Sequence, residues 1–182
     1  MQLEQVILVD EQDRPIGTCE KMEAHLQGHL HRAFSVFIFN GRGRLLLQQR
    51  ALGKYHCGGL WTNTCCSHPR PGETVEDAAY RRLQEEMGFQ TELNSAFSFM
   101  YRAELDKGLI EHEVDHVLTG IYEGEVAHNN EEVMDHSYMS MSDLEESLER
   151  FPEKFTPWLK IVFPRVKSWW QAHFEPLEAL AG

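Results

Sequence analysis

The chain reads Asn63-Thr64-Cys65-Cys66-Ser67-His68-Pro69, then Gly72-Glu73, then Arg81-Arg82-Leu83-Gln84-Glu85-Glu86-Met87-Gly88. A thiol and an imidazole stand two residues apart, just upstream of a segment dense in glutamate and arginine. A thiol can move protons, an imidazole can hold a metal, and helical glutamates can hold a second, harder metal. Thr74–Met87 reads as a helix. Thr74 can cap it, with Asp77 three residues on, and Gly88 stops it. Its apolar positions Val75, Ala78, Ala79, Leu83 and Met87 form one stripe. Arg82 and Glu86 sit at i and i+4 beside that stripe. Taken alone, they read as a surface ion pair.

Outward from this helix, strands and helices mix without a regular βαβ alternation, so the expected class is α+β. Val6–Val9 reads as a short strand and Arg14-Pro15-Ile16-Gly17 as a turn. Ala33–Asn40 and Leu45–Gln49 flank Asn40-Gly41-Arg42-Gly43 in a hairpin pattern. Leu93–Ala103 and Leu109–Thr119 read as strands joined through Asp106-Lys107-Gly108. Ser142-Asp143-Leu144-Glu145 reads as a capping box. A last helix opens at Thr156-Pro157 and runs toward Phe174, with a kink expected at Pro164.

The 182 residues carry no repeat or low-complexity linker, and 1–182 is expected to be a single domain. The net charge of −12 argues against nucleic acid and anionic membrane as partners. No apolar run approaches the roughly 18 residues of a membrane span. Met1-Gln2-Leu3-Glu4-Gln5 does not read as a secretory signal. Four cysteines, two of them adjacent, do not form a disulfide framework, so a reducing, cytoplasmic setting is expected.

The spacing from Glu73 through Arg81, Leu83, Glu85 and Glu86 to Gly88 resembles the Nudix box, a loop-helix-loop whose glutamates hold metal under a diphosphate. Ser67 stands where that motif begins with glycine, and Arg82 stands where it carries a glutamate. A Nudix hydrolase clusters carboxylates to hold several metals and activate water at phosphorus. Arginine at 82 inverts that charge and suits gripping a phosphate instead. Further matches narrow the resemblance. Glu20–His25, Leu30–Ser35, Gln49-Arg50-Ala51 with Lys54, and Leu60–Asn63 with Cys66-x-His68-Pro69 cover the first part. Tyr101-Arg102-Ala103, Glu111-His112-Glu113, Glu131-Glu132-Val133 and Phe155–Trp158 cover the rest. In this order and spacing the chain resembles the type I isopentenyl-diphosphate isomerases.

That resemblance implies a Nudix-like fold of mixed sheets flanked by helices. It also implies a 1,3-allylic proton shift from isopentenyl to dimethylallyl diphosphate through a tertiary carbocation. It assigns protonation to Glu113 assisted by Tyr101, deprotonation to Cys66, and cation stabilisation to Trp158. Lys21, Arg50, Lys54 and Arg82 would grip the diphosphate. His25, His31, His68, Glu111 and Glu113 would hold one transition metal, Mn²⁺ or Zn²⁺, with Fe²⁺ also suited to mixed imidazole and carboxylate ligands. Glu86 would hold Mg²⁺ brought in by the diphosphate, and Arg81 with Glu85 would form a supporting ion pair. A monomer or weak homodimer is expected.

Bland readings stand beside these. Glu111, Glu113 and Asp115 alternate on one strand face and could be a solvated acidic edge. A lone cysteine is most often a small buried hydrophobe, as expected for Cys19, Cys57 and Cys65. Trp169 and Trp170 are expected to pack the last helix, and Trp61 to pack under the active site. The alternatives are a Nudix diphosphate hydrolase, a non-catalytic metal-binding domain, and a zinc site from Cys57, Cys65, Cys66 and His68. The last lacks the paired C-x₂₋₄-C spacing of structural zinc.

Overall fold

The computed structural model describes residues 4–174; Met1–Leu3, part of the segment read for a leader, lies outside them. One mixed sheet runs between helices on both faces. Its strands are β1 (Gln5–Val9), β2 (Pro15–Glu20), β3 (His31–Phe39), β4 (Leu45–Arg50), β5 (Trp61–Thr62), β6 (Cys65–Ser67), β7 (Asn94–Glu104), β8 (Ile110–Ile121) and β9 (Val133–Met139). The helices are α1 (Lys21–Gln27), α2 (Val75–Met87), α3 (Met141–Arg150) and α4 (Pro157–His173). The α+β expectation holds. The sequence reading did not anticipate α1, β2, β5, β6 or β9.

The apolar run of β3 is continuous because both of its faces are covered. Phe37 and Phe39 pack with Leu45, Leu47 and the α4 residues Trp158, Leu159 and Val162. Phe34, Val36 and Ile38 pack on the other side with Ala78, Ala79, Leu83 and Met87 of α2. α2 matches the expected bounds: Thr74 accepts from the Asp77 N–H, and Gly88 closes the helix at φ 76°.

The β3–β4 hairpin is real only at its turn. Phe39 pairs with Leu45, and the strands then part. β3 runs parallel to β8 from His31↔Glu113 to Phe39↔Ile121, while β4 pairs with β9. The segment after β5 plugs the split. The Ile38 N–H donates to Thr64 Oγ1 at 2.9 Å, which in turn donates to the Leu46 carbonyl at 2.6 Å. Asn63 Nδ2 donates to the carbonyls of Val36 and Cys65 at 3.2 and 2.8 Å. Thr64 thereby satisfies backbone groups of both departing strands.

One local expectation is corrected. The cap of α3 is Ser140, which accepts from the Asp143 N–H, rather than Ser142. α4 runs from Pro157 to His173 with Pro164 inside it. Trp169 stacks on Phe39, and Trp170 donates to the Gly43 carbonyl at 2.8 Å, so both pack this helix onto the turn. Trp61 packs against the core cluster that includes Tyr101 and Trp158, and it also lines a separate small cleft with Phe151 and Phe155.

Candidate active site

A cavity of about 420 Å³ opens where α1, β3, β6 and the C-terminal part of β7 meet the start of β8. Register builds it. Glu113 faces Tyr101 across the antiparallel β7–β8 pair and His31 across the parallel β3–β8 pair. Glu111, Glu113 and Asp115 share one face of β8, and all three are buried. The solvated-edge reading therefore fails.

Five groups converge beside this row. His25, His31, His68, Glu111 and Glu113 each offer an atom within 4.8 Å of the others, and all five are buried. His25 Nδ1 contacts the Lys21 carbonyl at 2.7 Å, and His31 Nδ1 contacts the His29 carbonyl at 2.8 Å. Each backbone contact fixes the ring and turns Nε2 inward, as expected of imidazole ligands. His68 Nε2 lies 2.9 Å from Glu113 Oε1 and 3.2 Å from His31 Nε2. His25 Nε2 and Glu111 Oε2, 3.2 Å apart, are buried without an aligned hydrogen bond. Such orphaned, convergent donors fit a divalent transition metal. No cysteine joins this group, so the Cys/His zinc alternative falls away among the described residues.

β6 separates the adjacent thiols by pleat. Cys65 is fully buried against the α2 face, whereas Cys66 lines the cavity. Burial pushes the Cys66 thiol far up. Arg50 pulls it down, and Glu86, Glu113 and Asp115 add to the rise. Near neutrality the group rests as a thiol. Ser67 sits in regular strand opposite Phe34, outside the positive-φ positions, so the missing glycine has no backbone consequence there.

Tyr101 Oη donates to Glu113 Oε2 at 2.7 Å. Burial, with Glu113 second, pushes the phenol well above its ordinary value, so it stays a donor. Trp158 is 3% exposed, and its Nε1 donates to Asn63 Oδ1 at 3.3 Å. The Arg50 guanidinium lies 5.3 Å from the Trp158 ring centre.

Lys21, Arg50, Lys54 and Arg82 all line the cavity. Three of them already meet acids. Lys21 pairs with Glu4 and Lys54 with Glu132. Arg82 contacts Glu85 at 2.7 Å, Glu86 at 2.6 Å and Glu132 at 3.1 Å. Burial works against charge on Glu132, but Lys54 and Arg82 bring its carboxyl down to about 2. Arg50 instead donates to the His56 carbonyl at 3.1 Å.

Glu86 stands apart from the other expected site residues. It is buried outside the cavity lining, with one oxygen on Arg82 and the other on Gln48 Nε2 at 2.8 Å. Arg81 pairs chiefly with Glu73, at 2.7 and 2.8 Å, and only at 3.4 Å with Glu85. The expected ion pair is thus secondary to one that ties the loop to the helix. The sequence reading missed Tyr55, His56, Glu4 and Ser35 on the lining, and Asp115 behind it. His56 follows matched Lys54 by two, but no periodicity marks a loop residue.

The NUDIX domain family model matches residues 29–159. The chain is 51% identical over 172 residues to the isopentenyl-diphosphate Delta-isomerase of Pectobacterium atrosepticum, covering 94% of this chain and 96% of that one. It is 54% identical to the protein of the same name from Photobacterium profundum, covering 90% and 92%. Among solved structures, DR0079 from Deinococcus radiodurans superposes with a TM-score of 0.75 at 17% identity, over 89% of this chain and 98% of that one. At that identity the likeness speaks to fold alone.

Proposed function

We propose, for a chain that belongs to the Nudix family and within it to the isopentenyl-diphosphate Delta-isomerases, that Cys66 and Glu113 pass one proton across the substrate alkene. The observation that carries this reading is Glu113 itself. One of its oxygens faces the imidazoles of His31 and His68, and the other accepts from Tyr101, on the same cavity as the Cys66 thiol.

The substrate is an isoprenyl diphosphate, and the chain's part begins with its charged end. Lys21, Arg50, Lys54 and Arg82 hold the diphosphate, with Glu4 and Glu132 yielding their cations to it. Glu86 would hold Mg²⁺ accompanying the diphosphate only if Arg82 and Gln48, which occupy its two oxygens, released them. The alkene then lies among Tyr101, Trp158 and Cys66. His25, His31, His68, Glu111 and Glu113 would hold a transition metal, which would supply fixed positive charge to this end of the cavity.

One proton must reside on one of the two acid–base groups. Burial raises the Cys66 thiol, which favours placing the proton on Cys66. In the isopentenyl-to-dimethylallyl direction, Cys66 gives its proton to the terminal methylene. The alkene pair forms the new C–H bond and leaves a tertiary cation. Glu113 takes a proton from the carbon on the diphosphate side, and that C–H pair becomes the new double bond. The proton returns to the thiolate through solvent. This reverses the order the resemblance implied while keeping the same groups. The Trp158 ring, desolvated and held by Asn63, supports the cation by roughly 0.5 to 2 kcal/mol.

A Nudix hydrolase needs the carboxylate that Arg82 replaces, so hydrolysis is the disfavoured reading. Isopentenyl diphosphate incubated with the enzyme and divalent metal in D₂O tests the proposal. Dimethylallyl product carrying deuterium, without phosphate release, is expected; phosphate release without isomer exchange would sink it. Action as a monomer or weak homodimer is part of the same proposal. The free thiols fit a cytoplasmic setting, and among the described residues no helix is long and apolar enough to cross a membrane.

A further inference from the structure

His56 is 2% exposed and lines the cavity, yet belongs to none of the roles above. Its Nε2 lies 3.0 Å from Glu111 Oε1. Neither of its ring nitrogens makes an aligned hydrogen bond. Glu111 Oε2 and His25 Nε2 are in the same condition on the other side. One carboxylate is therefore clasped between two imidazoles at bonding distance, with directions left unsatisfied.

His56 cannot easily swing away. Tyr55 packs edge-on against its ring at 4.1 Å, and Trp158 does so at 5.5 Å. Its backbone carbonyl is held by Arg50. It also lies outside the group of five convergent donor atoms. A buried imidazole fixed beside the outer oxygen of a ligating carboxylate has one clear use. A cation between His25 Nε2 and Glu111 Oε2 would satisfy both of those atoms. Oε1 would then be free to accept a proton donor, and His56 Nε2–H is the one within reach.

We propose that His56 is a positioning residue: it fixes the second oxygen of Glu111 so that the first is presented to the metal. This rests on the metal reading of the His25, His31, His68, Glu111 and Glu113 cluster. It adds a residue that makes no contact with the metal and carries no charge in the role. Partners of this kind typically set metal affinity by roughly 10- to 100-fold.

The test is chelator competition for Zn²⁺ and Mn²⁺ on the metal-stripped full chain. Wild type, His31→Ala, His56→Phe and His56→Gln are compared. Phe keeps the planar ring between Tyr55 and Trp158 and removes both nitrogens. Gln can place an amide N–H near the Nε2 position. The expected result is a roughly 10- to 100-fold loss of affinity in His56→Phe and recovery to within about threefold of wild type in His56→Gln. Should the Phe variant not fold, His56→Asn, too short to reach Glu111, takes its place with the same expected loss. Wild-type affinity in the Phe or Asn variant overturns the proposal. So does a Gln variant as weak as Phe, because the ring rather than the donor would then matter. Metal binding lost in His31→Ala but unchanged in His56→Phe sinks this inference alone. No binding by wild type sinks the cluster reading and this inference with it.

Discussion

Tyr101 and Glu113 are directly opposed across the β7–β8 pair, and the tyrosine hydroxyl donates to Glu113 Oε2 at 2.7 Å. A single register therefore sets both the acid–base carboxylate and its neutral partner. A one-residue slip would turn Glu113 to the opposite face and dismantle the metal cluster with it. Tyr101→Phe removes only the hydroxyl. Losing a hydrogen bond to a charged group costs about 1.5 to 3 kcal/mol, so kcat should fall roughly 10- to 100-fold. Metal content and KM should hold. Steady-state kinetics with isopentenyl diphosphate check this, and an unchanged kcat would remove Tyr101 from the proton path.

Cys65 and Cys66 point to opposite sides of β6, so the adjacent thiols should respond differently. Cys66→Ala should lose roughly 100- to 10,000-fold in turnover, the range of a positioned acid or base, with fold and metal content intact. Cys65→Ala should keep most activity and lose about 1 kcal/mol of stability through a small core void. Comparable activity losses would mean that the pair acts through packing.

The direction of the Cys66 shift gives a pH prediction. A free thiol ionises near pH 8.5. Burial raises this one, so its thiolate should be absent at neutral pH and still absent at pH 8.5. The difference in thiolate absorbance between wild type and Cys66→Ala, followed from pH 6 upward, reads this directly. A thiolate already present at pH 7 would return the base role to Cys66 and the acid role to Glu113.

The histidine cluster predicts graded metal loss. His25→Ala, His31→Ala and His68→Ala should each bind metal more weakly by more than the roughly 10- to 100-fold expected of an outer partner. Elemental analysis after purification, together with chelator competition, would show it. Wild-type metal content in all three would leave the buried row of acids on β8 without an account.

Legibility in the sequence followed the range of the forces involved. α2 was readable to its caps because Thr74, Asp77 and Gly88 are local signals for a local structure. The β3–β4 hairpin misled because its turn residues are local, while the longest pairings of β3 and β4 are with β8 and β9, whose residues lie far along the chain, as in His31↔Glu113 and Leu45↔Met139. β6 and α1 are too short to carry a period, and they supply Cys66 and His25. The site residues were named through the family resemblance rather than through spacing. His56 and Asp115 were not, since their roles depend on neighbours that only the tertiary packing brings together. The Glu86 expectation came from the box motif, which says nothing of Gln48 and Arg82 occupying its oxygens.

Arg82 separates isomerase from hydrolase chemistry in one side chain. It touches Glu85, Glu86 and Glu132, so its first effect is to neutralise a nest of carboxylates at the cavity wall. Arg82→Ala removes a phosphate grip and also exposes that nest to the diphosphate. Loss of one charge-assisted contact alone costs about 1.5 to 3 kcal/mol, so diphosphate binding should weaken roughly ten- to a hundredfold. Arg82→Glu should be worse, because it adds a fourth carboxylate facing an anion. In a hydrolase, the same change would restore the acidic cluster and raise phosphate release. Measuring isomerisation, substrate affinity and phosphate release on both variants separates the two chemistries. Full affinity and isomerase activity in Arg82→Glu would leave Arg82 as no more than the helix partner of Glu86.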